Sequence, residues 1–246
     1  MGILGPGVAY ESGGHAVLRP VSVQASRYDG YADWYEEYLS GPASEHTRRT
    51  GVALASAVGP GSGRCLDVGC GTGVHAARLA ELGWSVVGVD GSGDQLRIAG
   101  KRIPVAVADA AELPFGTGTL DAVVATLIHT DVDDWDAVVR EAARVLRPSG
   151  KFVYFGVHPC FVGPFAERET DAVRLHAGYR NASRQFTGPG LGSGLRARVG
   201  VWHRPLSAVL NAITSAGLRL TSLTEPQGDS IVPDLIVIEA ISPVAE

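Results

Sequence analysis

No apolar run in this chain reaches the roughly 18 residues that a membrane-crossing helix needs, so no membrane span is expected. There is no basic block either. Acidic residues outnumber basic ones, 26 to 21, for a formal net charge of −5, which argues against DNA or RNA as a partner. Cysteine is scarce: Cys65, Cys70 and Cys160 show neither C-x-x-C nor metal-ligand spacing and read as reduced structural thiols. No H-x-x-x-H pair or paired carboxylate set occurs, so no metal is expected. The first 25 residues lack a basic stretch followed by an apolar core. They are expected to form a flexible tail (1–25) rather than a secretion signal, which leaves the cytoplasm as the expected location.

Two nucleotide fingerprints are also missing. A phosphate-cradling loop needs a Lys after its glycines, and none follows here. A dinucleotide loop needs Gly or Ala at position 74, which is Val. What is present is Cys65-Leu-Asp-Val-Gly-Cys-Gly-Thr-Gly-Val74, an apolar strand running into a loop with Gly69, Gly71 and Gly73 and then a helical pattern. Val86-Val-Gly-Val-Asp90 follows as a second strand ending in an acid, and then Gly91. Glycine at such a turn lets a ligand approach the backbone, and a terminal acid can accept hydrogen bonds from both hydroxyls of a ribose. Asp67, just before the loop, would repel a pyrophosphate. The pattern suits an adenosine ligand with a positive centre and no phosphates, which describes S-adenosylmethionine.

These residues resemble the class I S-adenosylmethionine-dependent methyltransferases, in their small ubiquinone-biosynthesis-like (methyltransferase type 11) branch. The resemblance runs from about Arg27 to Ile241. Asp67-Val-Gly-Cys-Gly-Thr-Gly73 matches the family's first motif, and Val89-Asp90 its second-strand acid. Ala108-Asp-Ala-Ala-Glu-Leu-Pro-Phe115 is similar to the segment whose acid and following N–H hold adenine, here Asp109 and Ala110. Leu120-Asp-Ala-Val-Val-Ala-Thr126 resembles the fourth strand, with Thr126 at the cofactor, and Val145-Leu-Arg-Pro-Ser-Gly-Lys151 the turn before the fifth. Related chains carry a Tyr-Asp-x-x-Ala-x-x-Tyr segment near the cofactor. Tyr28-Asp-Gly-Tyr-Ala-Asp-Trp-Tyr35 is similar to it with one spacing changed, which implies Tyr28 and Tyr35.

The remaining pattern alternates strands with helices. It predicts an α/β, Rossmann-like, seven-stranded mostly parallel sheet with helices on both faces and a cap insertion after strand five. Helices are expected over 44–58, 74–82, 92–99 and 205–215, and one with Trp135, Val138, Val139, Ala142, Val145 and Leu146 on its apolar face is ended by Pro148. Strands are expected over 63–68, 85–90, 103–108, 120–126, 151–157, 218–224 and 231–241. The resemblance implies that the last strand runs antiparallel. Tyr28, Tyr31, Trp34, Tyr35 and Tyr38 recur at helical spacing, either as packing or as a lid over 26–60. The binding core is expected over 61–157 and 205–246. Between them, residues 158–204 far exceed the usual connection of about 4–6 residues and are expected to cap the substrate, with a helix near 165–180.

Methyl transfer is an in-line displacement in which the protein aligns nucleophile, methyl carbon and sulfur. A hydroxyl or thiol nucleophile also needs a base, and a neutral imidazole serves near pH 7. His129 after strand four, His158 after strand five and His203 before the helix at 205 are the candidates, each with the alternative of mere packing. The expected substrate is a small apolar or aromatic molecule, suggested by Phe161, Phe165, Tyr179, Phe186 and Trp202. Self-association into a homodimer is left open. Three other readings stand beside methyl transfer: a same-fold enzyme that uses S-adenosylmethionine without transfer, a nicotinamide-dependent oxidoreductase, and a cofactor-sensing binding protein.

Overall fold

Every second residue of the long strands packs into the same layer. Leu66, Val68, Phe152, Tyr154, Ile236 and Ile238 enter one buried cluster, whereas Cys65, Val153, Phe155, Leu235 and Val237 enter the other. That is the period-2 geometry of a sheet covered on both faces, and it explains why these strands read as continuous apolar runs. Side chains such as Phe152 and Phe155 are fully buried, each burial contributing about 1.5–3 kcal/mol.

The computed structural model describes residues 26–192 and 194–244, together with the backbone of Val8–Tyr10 (β1) and Ala16–Leu18 (β2), which pair antiparallel. The rest of the expected tail lies outside the described residues. The elements then follow as α1 (Ala32–Ser40), α2 (Ser44–Val58), β3 (Arg64–Val68), α3 (Val74–Glu81), β4 (Ser85–Asp90), α4 (Gly93–Ala99), β5 (Val105–Val107) and β6 (Leu120–Thr126). After a 3-10 turn at Ile128–Thr130 come α5 (Trp135–Val145) and β7 (Leu146–Val157). The insertion holds β8 (Ala166–Arg168), β9 (Val173–Leu175), β10 (Arg184–Gln185), α6 (Leu195–Val199) and β11 (Val201–Trp202). The chain closes with α7 (Leu206–Ser215), β12 (Arg219–Thr224) and β13 (Leu235–Ile241).

The seven strands of the main sheet lie in the order β12-β13-β7-β6-β3-β4-β5. All neighbours are parallel except β13, which runs antiparallel to both β7 and β12. Helices α5 and α7 cover one face through Val138, Val139, Val209 and Ile213. Helices α2, α3 and α4 cover the other through Leu54, Leu79 and Leu96. From β3 the chain steps outward to β4 and β5, then returns to place β6 on the opposite side. The carboxyl ends of β3 and β6 therefore flank a switch point, where a crevice opens in sheets of this kind.

Four expectations need correction. Helix α5 stops at Val145, so Leu146 falls outside it, and β7 starts at Leu146 instead of 151. Pro148 forces the residue before it out of the helical region, and the chain bulges there, with Ser149 at a φ of 62°. The last strand begins at Leu235, after Pro233, which has no N–H to give a ladder. The expected helix near 165–180 is instead a hairpin of β8 and β9. The Glu169 N–H bonds the Ala172 carbonyl across a Thr170-Asp171 turn, and β-branched Val173 starts the return strand. The aromatic stripe divides as well: Tyr28 stands in a turn before α1, while Trp34, Tyr35 and Tyr38 are on the helix.

Candidate active site

The loop after β3 turns sharply because its glycines take conformations that side chains resist. Gly73, at a φ of 77°, caps α3, and a Cβ there would meet Ala99 of α4 at 3.0 Å. A Cβ on Gly69 would overlap Ile128, 2.4 Å away. The loop is fixed from the neighbouring strand. The Gly71 N–H donates to Asp90 Oδ2 at 2.9 Å, and the Ser92 N–H to Asp90 Oδ1 at 2.8 Å. Burial raises the Asp90 carboxyl above its ordinary range, while these two N–H groups pull the other way. A carboxylate has about four acceptor sites, so two stay open for a ligand.

Two cavities open at these strand ends and share a wall. One, of about 810 Å³, is the strand-end cleft, and Asp90, Gly91, Asp109 and Ala110 line it. The other, of about 630 Å³, is the aromatic chamber under α1, and Asp67, Trp34 and Tyr38 line it. Tyr28, Tyr35, Gly69, Gly71, Thr126 and Arg196 touch both. Tyr28 packs edge-on to Tyr35 at 6.0 Å and donates its hydroxyl to Asp131 Oδ1 at 2.9 Å, and Arg196 of α6 pairs with the same carboxylate.

Several buried polar atoms around the cavities have no partner within the protein. They are Asp67 Oδ1, Thr72 Oγ1, Thr126 Oγ1 and both terminal atoms of Gln95. Native proteins leave few such groups unsatisfied, so their convergence on two cavities asks for a polar ligand. Asp67 is wholly buried. Burial, with the charge of Asp90 second, pushes its carboxyl up to about 8.

The expected site residues divide cleanly by position. Tyr28, Tyr35, Asp67, Gly69, Gly71, Asp90, Gly91, Asp109, Ala110 and Thr126 all line one cavity or both. Gly73 lines neither and serves the packing of α3 on α4. The three expected bases line neither cavity. His129 is 2% exposed, and its Nδ1 lies 2.8 Å from the Tyr154 hydroxyl. Burial and nearby Arg204 push it down to about 3. His158 Nε2 bonds Glu225 at 2.9 Å, and His203 Nε2 bonds the Tyr179 carbonyl at 2.6 Å. The strand-end positions that suggested these histidines are real, but their rings turn into packing. Two other histidines, His46 on α2 and His75 on α3, line the aromatic chamber instead. His75 directly follows the glycine loop, a cue the sequence contains; His46 has none.

The insertion is fastened to the segment after β6. Arg184 bonds the Asp131 carbonyl at 2.7 Å and Asp133 Oδ1 at 2.6 Å. Arg204 bonds the carbonyls of Val132 at 2.7 Å and Asp133 at 2.8 Å, and its guanidinium lies over Trp202. Among the described residues no helix is long and apolar enough to cross a membrane.

Residues 66–154 match a family described as a methyltransferase domain. A demethylmenaquinone methyltransferase of Mycolicibacterium paratuberculosis is 36% identical over 131 residues, 52% of this chain and 57% of the relative. The chain thus spans little more than half the length of the curated relatives it matches. Among solved structures, an S-adenosylmethionine-dependent methyltransferase from Mesorhizobium loti superposes with a TM-score of 0.65 at 24% identity, covering 77% of this chain and 96% of that one. The [4+2]-cyclase SpnF superposes at 0.59 and 21% identity, covering 81% and 82%. Identities this low speak for the fold alone. Sheet order, glycine loop and strand-end acid place the match to a methyltransferase domain, over residues 66–154, on a Rossmann-like fold shared with solved S-adenosylmethionine-dependent methyltransferases.

Proposed function

We propose that the chain transfers a methyl group from S-adenosylmethionine to a small, apolar or aromatic acceptor. The observation that carries this is the set of unsatisfied polar atoms converging on two cavities that share one wall. Such a pair of cavities suits two ligands meeting at Tyr28, Tyr35 and Thr126. The likeness to demethylmenaquinone methyltransferases supports an apolar ring acceptor. The core over 61–157 and 205–246 holds the cofactor, 26–60 is its lid and 158–204 its substrate cap.

The residues fit the cofactor. Asp90 has acceptor sites left for ribose hydroxyls, Asp109 and the Ala110 N–H border the place for adenine, and Asp67, Gly69 and Gly71 border the place for the methionine portion. The bound sulfonium supplies an activated methyl and its own leaving group. The protein's part is to align and to exclude water. Tyr28 and Tyr35, whose hydroxyls burial keeps protonated, form the inner wall of both cavities. The test is calorimetry with S-adenosylhomocysteine and with NAD, followed by mass analysis of ring compounds incubated with S-adenosylmethionine. The expected results are binding of the first ligand only and a product heavier by one CH₂. Binding of NAD, or a product of unchanged mass, would overturn the reading.

A further inference from the structure

His46 stands in the first turn of α2 and His75 in the first turn of α3, and both line the aromatic chamber. The described residues include four more histidines, and each of those is tied by a hydrogen bond: His129 to Tyr154, His158 to Glu225, His176 to Glu167 and His203 to the Tyr179 carbonyl. His46 and His75 are tied by none; only burial and neighbouring charges act on them. The two imidazoles that reach the chamber are thus the two whose ring nitrogens are uncommitted. Burial lowers both, His75 to about 4, so both are neutral at pH 7 and each keeps one bare nitrogen as an acceptor.

The rest of the chamber limits what those nitrogens meet. Trp34 and Tyr38 stack with centroids 5.3 Å apart and planes 9° apart, giving a flat wall. Leu39, Val74 and Leu195 add apolar surface. Arg196 also reaches the chamber, but Asp131 neutralises it, so an anionic acceptor finds no unpaired counter-charge among the described lining residues. We propose that His46, with His75 beside it, is the proton acceptor of the aromatic chamber, and that the acceptor molecule is a flat, uncharged ring bearing an ionisable hydroxyl.

This rests on the methyl-transfer reading above. The hydroxyl O–H bond breaks and its proton passes to a His46 ring nitrogen. With S-adenosylmethionine bound, the oxygen would take up its activated methyl, and the pair of the sulfur–methyl bond would stay on sulfur. The imidazolium then releases its proton to solvent. His46 is assigned the proton because the Asp234 carboxylate favours its charged form, against the opposing pull of Arg49 and Arg168, whereas no carboxylate acts on His75. Asp234, Arg49 and Arg168 are the charged groups that act on His46, and Tyr35, Tyr38, Asp67 and Arg196 line the same chamber. With His46 below its ordinary value, the wild-type rate is level above pH 7.

The test uses 4-nitrophenol, whose phenolate absorbs visible light, added to the chain saturated with S-adenosylhomocysteine. In the wild type the proton leaving the bound probe stays on His46, and the imidazolium facing the phenolate should bring the ionisation midpoint about one pH unit below that of the free probe, a tenfold change in its ionisation constant. His46→Ala and His46→Gln should each abolish the shift, and both substitute good helix formers at a half-buried helix position. His75→Asn should reduce it. With a turned-over hydroxyl acceptor, His46→Ala should lower kcat about 10²- to 10⁴-fold at pH 7, with the residual rate climbing toward pH 9. An unshifted midpoint in the wild type, a shift that survives in both His46 variants, or a probe that does not bind overturns this proposal alone. A wild-type chain that fails to bind S-adenosylhomocysteine overturns the methyl-transfer reading and this proposal with it.

Discussion

The two cavities are made of different materials. The strand-end cleft is organised by backbone geometry: two glycines of the loop, the strand ends, and a carboxylate held by two N–H groups. The aromatic chamber borders the same loop, through Asp67, Cys70 and Thr72 as well, and adds side chains from α1, α2, α3 and the insertion. A site made of backbone must spell its requirements in small residues at fixed spacing. A site made of side chains needs only that some residue of the right size arrive there, from any element.

That difference can be broken or sharpened by substitution, and the largest effect should come from the backbone-built side. Asp90→Ala removes an acceptor and also releases the Gly71 and Ser92 N–H groups. Hydrogen bonds to charged groups contribute about 1.5–3 kcal/mol, so the Kd for S-adenosylhomocysteine should rise roughly 10- to 150-fold. An unchanged Kd by calorimetry would remove Asp90 from the cleft's function. Arg196→Ala acts on the shared wall, where it strands Asp131. It should raise the acceptor KM about tenfold, with less than a threefold change in cofactor Kd. Equal losses on both would mean the cavities are one site.

Stability against pH probes the buried groups. His129 at about 3 and His75 at about 4 bind protons less readily folded than unfolded, so their contribution is complete above pH 6.5 and is lost as pH falls toward 4. Asp67 at about 8 works oppositely, losing its contribution as pH rises from 3.8 to 8. Between pH 4 and 6.5 two histidines oppose one acid. Unfolding free energy from these groups should therefore rise by about 1.4 kcal/mol per pH unit, then fall above 6.5. Urea titrations at pH 5, 6.5 and 8 measure it, and a flat profile would contradict these assignments. The smallest effect is expected for Asp67→Asn. Its carboxyl is mostly protonated at pH 7, so the amide should change cofactor affinity less than about threefold there and flatten the alkaline limb of stability. A large loss would mean that Asp67 acts as a charge.

The sheet was legible because its strands are apolar on both faces, and Leu120–Thr126 and Ser85–Asp90 fall where the pattern puts them. The glycine loop and Asp90 were legible because turn geometry restricts residue type. Histidine offers no such restriction. His129, His158 and His203 stand near strand ends, yet whether an imidazole points into a cavity or into a core depends on one side-chain rotation. Nothing in the local pattern records that rotation. The hairpin of β8 and β9 escaped for a related reason: three-residue strands carry too few positions to show a period.

One short segment, Asp131–Asp133, floors the strand-end cleft and also carries the arginines that fasten the insertion. The two ligands therefore share a latch. On the proposed reading, a cofactor seated against Asp131 would steady the arch over the neighbouring room before the acceptor arrives, and the second guest would find part of the ordering already done. If the proposed methyl transfer holds, an ordered queue is expected: cofactor first in, methylated product first out, and the spent cofactor last to leave.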